Sequence, residues 1–361
     1  MTKTILFFYG TRPEIIKLAP VILEFKKQAS YDIKTCHTGQ HADLTLELEK
    51  IFNIEVDYRL AIDNNKKDLN SNLSEILAKA NDLLIDIKPD LAVIQGDTTT
   101  VMAVALASFN LGIKVAHIEA GLRSFNLKEP FPEELNRKIA TLCTEFHFAP
   151  TYRSLENLVR EGILKDKIWK TGNTVIDALV YVKELLQIKV SNEKIILVTA
   201  HRRENHGSPL EDICDALINL SKEFDDYEFI WPIHPNPNVS GFVKNKLKGF
   251  SNIKIVPPLG YDKLVNLMAK CTLIWSDSGG IQEEAPYFKK PIIILRNVTE
   301  RPEVVESGFG ILTGTNKSKI EHETRKLLLN KDLQNKFNSF TNPFGDGTAS
   351  KQILDIIREK L

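Results

Sequence analysis

The chain has 361 residues, enough for two domains that each bury a core of their own. Lys plus Arg and Asp plus Glu stand at 47 each, so the formal charge is zero; no global charge recruits nucleic acid or an acidic membrane, and anion recognition has to come from local clusters. Cys36, Cys143, Cys214 and Cys271 stand apart, with no CxxC pair and no histidine at metal-ligand spacing; this reads as reduced core cysteines of a cytoplasmic protein, with no metal and no cofactor expected.

The first apolar run, 4–9, is cut off by Gly10, Arg12, Pro13 and Glu14 far short of a membrane span, and predicts a buried strand. Further short β-rich runs follow at 33–38, 91–95 and 114–118, then at 195–200, 228–233, 273–276 and 292–295. Longer helical patterns separate them, the signature of parallel strands joined by crossover helices. The fold class is therefore α/β. Two groups of four runs predict two similar halves, 1–170 and 171–347, with the change near Thr171. Between them lies a helix-like VIDALVYVKELLQ and a polar break at Ser191, Asn192 and Glu193. At the far end Ile353, Leu354, Ile356, Ile357 and Leu361 recur at helical spacing and predict a helix over 348–361 that packs on another element.

Polar motifs fall directly after these strands: GTRPEIIK, GDTTT, EAGLRS, HRREN, HPNP, SDSGG and RNVTERPE. In open α/β sheets the carboxyl ends of the strands form the ligand-binding edge. In GTRPEIIK, Gly10 suits a tight turn, Arg12 offers a fork of donors to phosphate, and Lys17 sits about a turn and a half into a helix. Pairing of Arg12 and Lys17 with surface carboxylates is the plain alternative. Asp97 is either a carboxylate for chemistry or the N-cap of a helix over 101–109 that Thr98, Thr99 or Thr100 could also cap. HIEAGLRS places His117, Glu119 and Arg123 around a glycine. PFPEELNRK adds Glu133, Glu134 and Arg137 behind prolines that predict an extended approach to a helix. Carboxylates gathered on one sheet edge can divide acid and base work, or simply balance Arg123 and Arg137.

The second half reads as the nucleotide side. His201, Arg202 and Arg203 follow a strand and suit a diphosphate. Ser278, Gly279 and Gly280 allow close backbone approach to an anion, Glu284 is placed to accept hydrogen bonds from ribose hydroxyls, and Arg301 is a further anion contact or a clamp. His234 in HPNP is open between structure and function. The chain has no GxGxxG with a downstream acidic partner, no GxxxxGK[ST] and no HExxH, so the chemistry falls to carboxylates, histidine and arginines.

In order and over nearly the whole chain, GTRPEIIKLAP, QGDTTT, HIEAGLRS, PFPEELNRK, TGNTVIDAL, TAHRREN, HPNPNV, SDSGGIQEEAP, TERPE and NPFGDGTAS resemble the non-hydrolysing UDP-N-acetylglucosamine 2-epimerases. The resemblance implies the glycosyltransferase type B, or glycogen phosphorylase-like, fold: two Rossmann-like domains with parallel sheets facing a central cleft, and a terminal helix returning to the first domain. It implies a homodimer that interconverts UDP-GlcNAc and UDP-ManNAc by elimination of UDP to 2-acetamidoglucal and re-addition. By the same resemblance Asp97, Glu119, Glu133 and His201 are catalytic, while Arg12, Lys17, Arg137, Ser278, Gly279, Gly280, Glu284 and Arg301 bind substrate. Gln40, His41 and His234 correspond to a second, activating UDP-GlcNAc site, although Ala42 and Asp43 depart from the Arg followed by Glu or Gln common in that segment. The uracil pocket is expected around PPLGYDKL, where Leu259 and Leu264 replace the Gln and Phe of relatives. A glycosyltransferase of the same fold and a non-catalytic UDP-sugar sensor are the alternative readings.

Overall fold

A computed structural model describes residues 2–40, 42–62, 68–202, 205, 207–233 and 237–361, with the side chains of 42–44 and 237–239 outside the description. His41, Arg203 and His234 therefore lie outside the described residues. Close packing divides the chain into two compact units, Met1–Tyr181 with Phe344–Leu361, and Val182–Pro343. The units change at 181/182, inside a helix, whereas the composition pointed to 170/171.

The first unit alternates strand and helix: β1 (Lys3–Tyr9), α1 (Arg12–Lys26), β2 (Tyr31–His37), α2 (Ala42–Ile51), β3 (Tyr58–Arg59), α3 (Leu69–Ile87), β4 (Leu91–Gln95), α4 (Thr99–Asn110), β5 (Lys114–Ile118), α5 (Glu133–Cys143), β6 (Phe146–Ala149), α6 (Tyr152–Arg160), β7 (Ile168–Lys170) and α7 (Thr174–Leu185). Its strands form one parallel sheet in the order β3-β2-β1-β4-β5-β6-β7. Burial on both faces is why β1 and β4 read as continuous apolar runs; Ile5, Leu6, Phe7, Phe8, Leu91, Ala92 and Ile94 are fully buried. The strand order reverses direction between β1 and β4, the place where such sheets open a crevice for a ligand.

The second unit continues with β8 (Ile195–Thr199), α8 (Ser208–Glu223), β9 (Glu228–Pro232), α9 (Pro237–Lys246), β10 (Ile253–Val256), α10 (Tyr261–Lys270), β11 (Leu273–Ser276), α11 (Gly279–Glu284), β12 (Ile292–Ile294), α12 (Pro302–Glu306), β13 (Gly310–Leu312), α13 (Lys317–Leu329) and α14 (Lys331–Lys336). Its parallel sheet runs β10-β9-β8-β11-β12-β13, with the reversal between β8 and β11. The last helix, α15 (Ala349–Lys360), belongs to the first unit and packs on α1 through an apolar stripe in which Ile353, Leu354 and Ile357 are buried. Its first turn is held by Asp177 of α7, which accepts from Ser350 N at 2.7 Å and Ala349 N at 3.3 Å.

Candidate functional site

The two units carry separate groups of polar residues, each at the carboxyl ends of parallel strands. In the first unit the turn after β1 is organised by Glu14, a carboxylate only 1% exposed. Its Oε2 accepts from Gly10 N at 2.9 Å and Thr11 N at 2.7 Å, and Thr98 Oγ1 donates to its Oε1 at 2.7 Å. One buried acid thus joins the loop after β1 to the loop after β4 across the reversal of the sheet. Burial pushes its pKa up, against the pull of these hydrogen bonds. Gly10 is needed for space rather than for its backbone angle: a Cβ there would stand 2.2 Å from Thr38 Oγ1, 2.7 Å from Thr100 Oγ1 and 3.0 Å from Gln40 Oε1. The turn after β1 is close because Thr38, Thr100 and Gln40 crowd this position. Gln40 accepts from Thr100 Oγ1 at 2.7 Å and so is tied to the same turn.

Arg12 opens α1, half-buried, and its guanidinium has no hydrogen bond or ion pair among the described residues. Lys17 reaches inward instead of pairing at the surface. Its Nζ lies 2.7 Å and 2.8 Å from the two oxygens of Glu119, and both side chains are more than nine-tenths buried. Gln95, the last residue of β4, also donates to Glu119. Glu119 sits just past β5 with φ at +67°, a left-handed conformation that costs a non-glycine residue about 1–3 kcal/mol and clusters at functional sites.

Asp97 does not cap α4. Thr98 takes that place, its hydroxyl accepting from Val101 N at 3.4 Å. The freed Asp97 carboxylate pairs with Arg137, whose Nε and Nη2 lie 2.9 Å and 2.7 Å from Oδ2, while Asn136 Nδ2 donates to the Asp97 carbonyl at 2.8 Å. Arg137 is held from the other side by Glu134, fully buried, which also accepts from Ser124 N and Phe125 N at 3.0 Å and 3.1 Å. Of the two roles the sequence left open for Glu134, the structure shows the balancing of Arg137, and it adds support of the segment leading into α5. That segment, expected to be extended, consists of turns. Glu133, half-buried at the first position of α5, is four residues before Arg137 and so shares its helix face. Gln95 and Ile118 are paired in register, so Asp97 and Glu119 follow the ends of neighbouring strands. His117 points back into the sheet, with Nε2 2.7 Å from Gly96 O, and burial lowers its pKa to about 4. Arg123 is wholly buried on Glu161, with contacts of 2.7–3.0 Å, and is a packing residue.

The second unit repeats the device. Asp277, fully buried after β11, accepts on Oδ2 from His201 N, Arg202 N and Asn205 Nδ2, each at 2.9 Å, so one acid joins the loops after β8 and β11 across the reversal. Sequence reasoning passed over this residue in SDSGG, because nothing local marks an aspartate whose partners are some 75 positions away. Ser278 N donates to Ser276 Oγ at 3.0 Å, and α11 begins at Gly279. Arg301 lies against that turn; a Cβ on Gly279 would meet its Cζ at 3.5 Å. Its guanidinium is pinned by Glu283 at 2.8 Å and Glu300 at 3.0 Å. Glu284, buried at the end of α11, accepts from Tyr261 OH at 3.1 Å, which links the expected ribose ligand to the segment expected to meet uracil.

A family model described as UDP-N-acetylglucosamine 2-epimerase matches residues 23–358. A relative from Salmonella borreze, named UDP-N-acetylglucosamine 2-epimerase, is 44% identical over 97% of this chain and 97% of its own length. Among solved structures, UDP-GlcNAc 2-epimerase from Neisseria meningitidis bound to UDP-GlcNAc superposes with a TM-score of 0.92 at 41% identity, covering 99% of this chain and 100% of that one. The Methanocaldococcus jannaschii UDP-GlcNAc 2-epimerase in complex with UDP-GlcNAc and UDP gives 0.84 at 35% identity, covering 99% of each. The two parallel sheets are those of the two-domain, glycosyltransferase B type architecture of these enzymes. With strand order, loop chemistry and likeness along its whole length in agreement, the chain belongs to the UDP-N-acetylglucosamine 2-epimerase family.

Proposed function

We propose that this chain interconverts UDP-GlcNAc and UDP-ManNAc by inverting C2 of the sugar, without a cofactor. The reading is carried by full-length likeness to epimerases together with carboxylates at the strand ends of the first unit. The C2 proton of a sugar is not acidic, so removal and return at C2 alone is too costly. Loss of that proton with cleavage of the C1–O bond to UDP gives 2-acetamidoglucal. Protonation of C2 on the opposite face and attack of the UDP oxygen on C1 complete the cycle with no net oxidation.

Asp97, Glu119 and Glu133 are the groups proposed to move the C2 proton and to steady positive charge developing at C1. The ion pairs to Arg137 and Lys17 keep Asp97 and Glu119 supplied with a counter-charge while they do so. Arg12, His201, Ser278, Gly279, Gly280 and Arg301 are proposed to hold the departing diphosphate, where fixed donors are of greatest value. Glu284, backed by Tyr261, takes the ribose hydroxyls. Ile85, Phe109, Leu135 and Leu142, exposed on α3 to α5, support pairing with a second copy, which light scattering tests. Four free cysteines support a reducing, cytoplasmic setting.

The test is incubation with UDP-GlcNAc alone in heavy water, followed by NMR. UDP-ManNAc carrying deuterium at C2 is expected. A glycosyltransferase would turn over only with an acceptor, a sensor would bind without exchange, and either result would replace this reading.

A further inference from the structure

Asp277 has a conformation fixed from three directions and one oxygen left over. Three donors converge on Oδ2 at 2.9 Å, and Asn205, which supplies one of them, is itself anchored to Leu295 O at 3.3 Å. The peptide N of Asp277 donates to Thr199 O at 3.1 Å. The remaining oxygen, Oδ1, is buried with no hydrogen bond of its own and faces His201 Nδ1 at an ion-pair distance of 3.2 Å, while the imidazole is half-exposed on its other side. Burial works to raise the pKa of this acid, but His201 and the converging N–H groups outweigh it and hold the acid below its ordinary range. A carboxylate so fixed accepts only, so this unsatisfied buried oxygen is completed by a proton on the imidazole nitrogen that faces it once the ring turns into line.

We propose that Asp277 is a positioning residue of the epimerase reaction: it orients the His201 imidazole and fixes the tautomer with the proton on Nδ1, leaving Nε2 to meet the diphosphate of a UDP-sugar. The proposal rests on the function given above. The Asp277 carboxylate also sets a fixed negative charge behind the ring when Nε2 donates to the diphosphate, as second-layer carboxylates do for ligating histidines. The same three amides that lock Asp277 place the backbone of 201 and 202, so orientation of the ring and of the loop after β8 are set by one side chain.

The experiment is Asp277→Asn, which keeps the size and an acceptor for the amides but removes the charge. In protein labelled with 15N-histidine, with the His201 signal assigned by its loss in His201→Gln, the wild type is expected to show the Nδ1-protonated ring, and the variant a shift toward protonation on Nε2. Turnover of UDP-GlcNAc should fall roughly 10- to 100-fold, with the Michaelis constant moving less than about threefold. A wild-type ring protonated on Nε2, or a variant with unchanged tautomer and turnover, overturns the proposal. Should the variant fail to fold, the wild-type spectrum decides alone. A wild type that leaves UDP-GlcNAc unchanged defeats the proposed function instead, while the spectrum still reads the Asp277–His201 relation.

Discussion

Position 10 leaves no room for a side chain, because Thr38, Thr100 and Gln40 already close around it. Gly10→Ala is expected to cost about 1–3 kcal/mol by overpacking, read as a lower urea midpoint. An unchanged midpoint would show that the two threonine hydroxyls move aside freely. For the carboxylates the expectation is different, since they handle protons rather than fill space. Asp97→Asn or Glu133→Gln should lower turnover roughly a hundredfold or more while UDP affinity, measured by calorimetry, stays within about tenfold. Full turnover in either variant removes that residue from the proposed set. At this scale the sequence marks candidates where polar residues are concentrated in one motif at a strand end, as with Lys17, Asp97, Glu119, His201 and Glu284, whose roles remain proposals. It is silent on Glu14, Glu134 and Asp277, whose partners come from loops far along the chain.

Among the elements, the eight strands that the apolar runs marked are all present, and β3, β6, β7, β10 and β13 are the ones missed. Four of those five stand at sheet edges, where β7, β10 and β13 are each only partly buried and a short mixed stretch such as IWK or GIL carries no run to read. β6 is buried but only four residues long, with a histidine in its middle. The terminal helix is legible from its spacing, yet its anchor is not, because Asp177 lies in α7 some 170 positions earlier. Asp177→Ala removes the acceptor of two N–H groups in the first turn of α15 and should lower stability by about 0.5–2 kcal/mol. Hydrogen exchange checks this: faster exchange confined to α15 and the helix beneath it is expected, and protection unchanged there would mean that apolar packing alone seats the helix.

For the whole molecule, pH is the most telling variable. His117 and His147 are buried side by side on β5 and β6, and burial lowers their pKa values from 6.5 to about 4 and about 3, with each other's nearness adding for His147. The unfolded chain therefore binds protons below pH 6.5 that the folded chain refuses, so stability is lost as pH falls through that window, by about 2–3 kcal/mol per histidine by pH 4.5. Glu14 and Asp177, whose pKa values are raised by burial, work the other way as they take up protons in the folded state, and Asp277, held low, adds to the loss only at still lower pH. The melting temperature should fall from pH 7 to pH 4.5, and His147→Leu should flatten that slope; an equally steep slope in the variant would place the acid sensitivity elsewhere. The return of α15 to α1 has a consequence of its own. Since Val182–Pro343 is continuous and the first unit is not, the ribosome finishes the second unit before it releases the segment that seals the first. A nascent chain thus carries an uncovered apolar flank on α1 through nearly half of its translation, and it is this earlier-made half, not the later one, that a chaperone would need to shield.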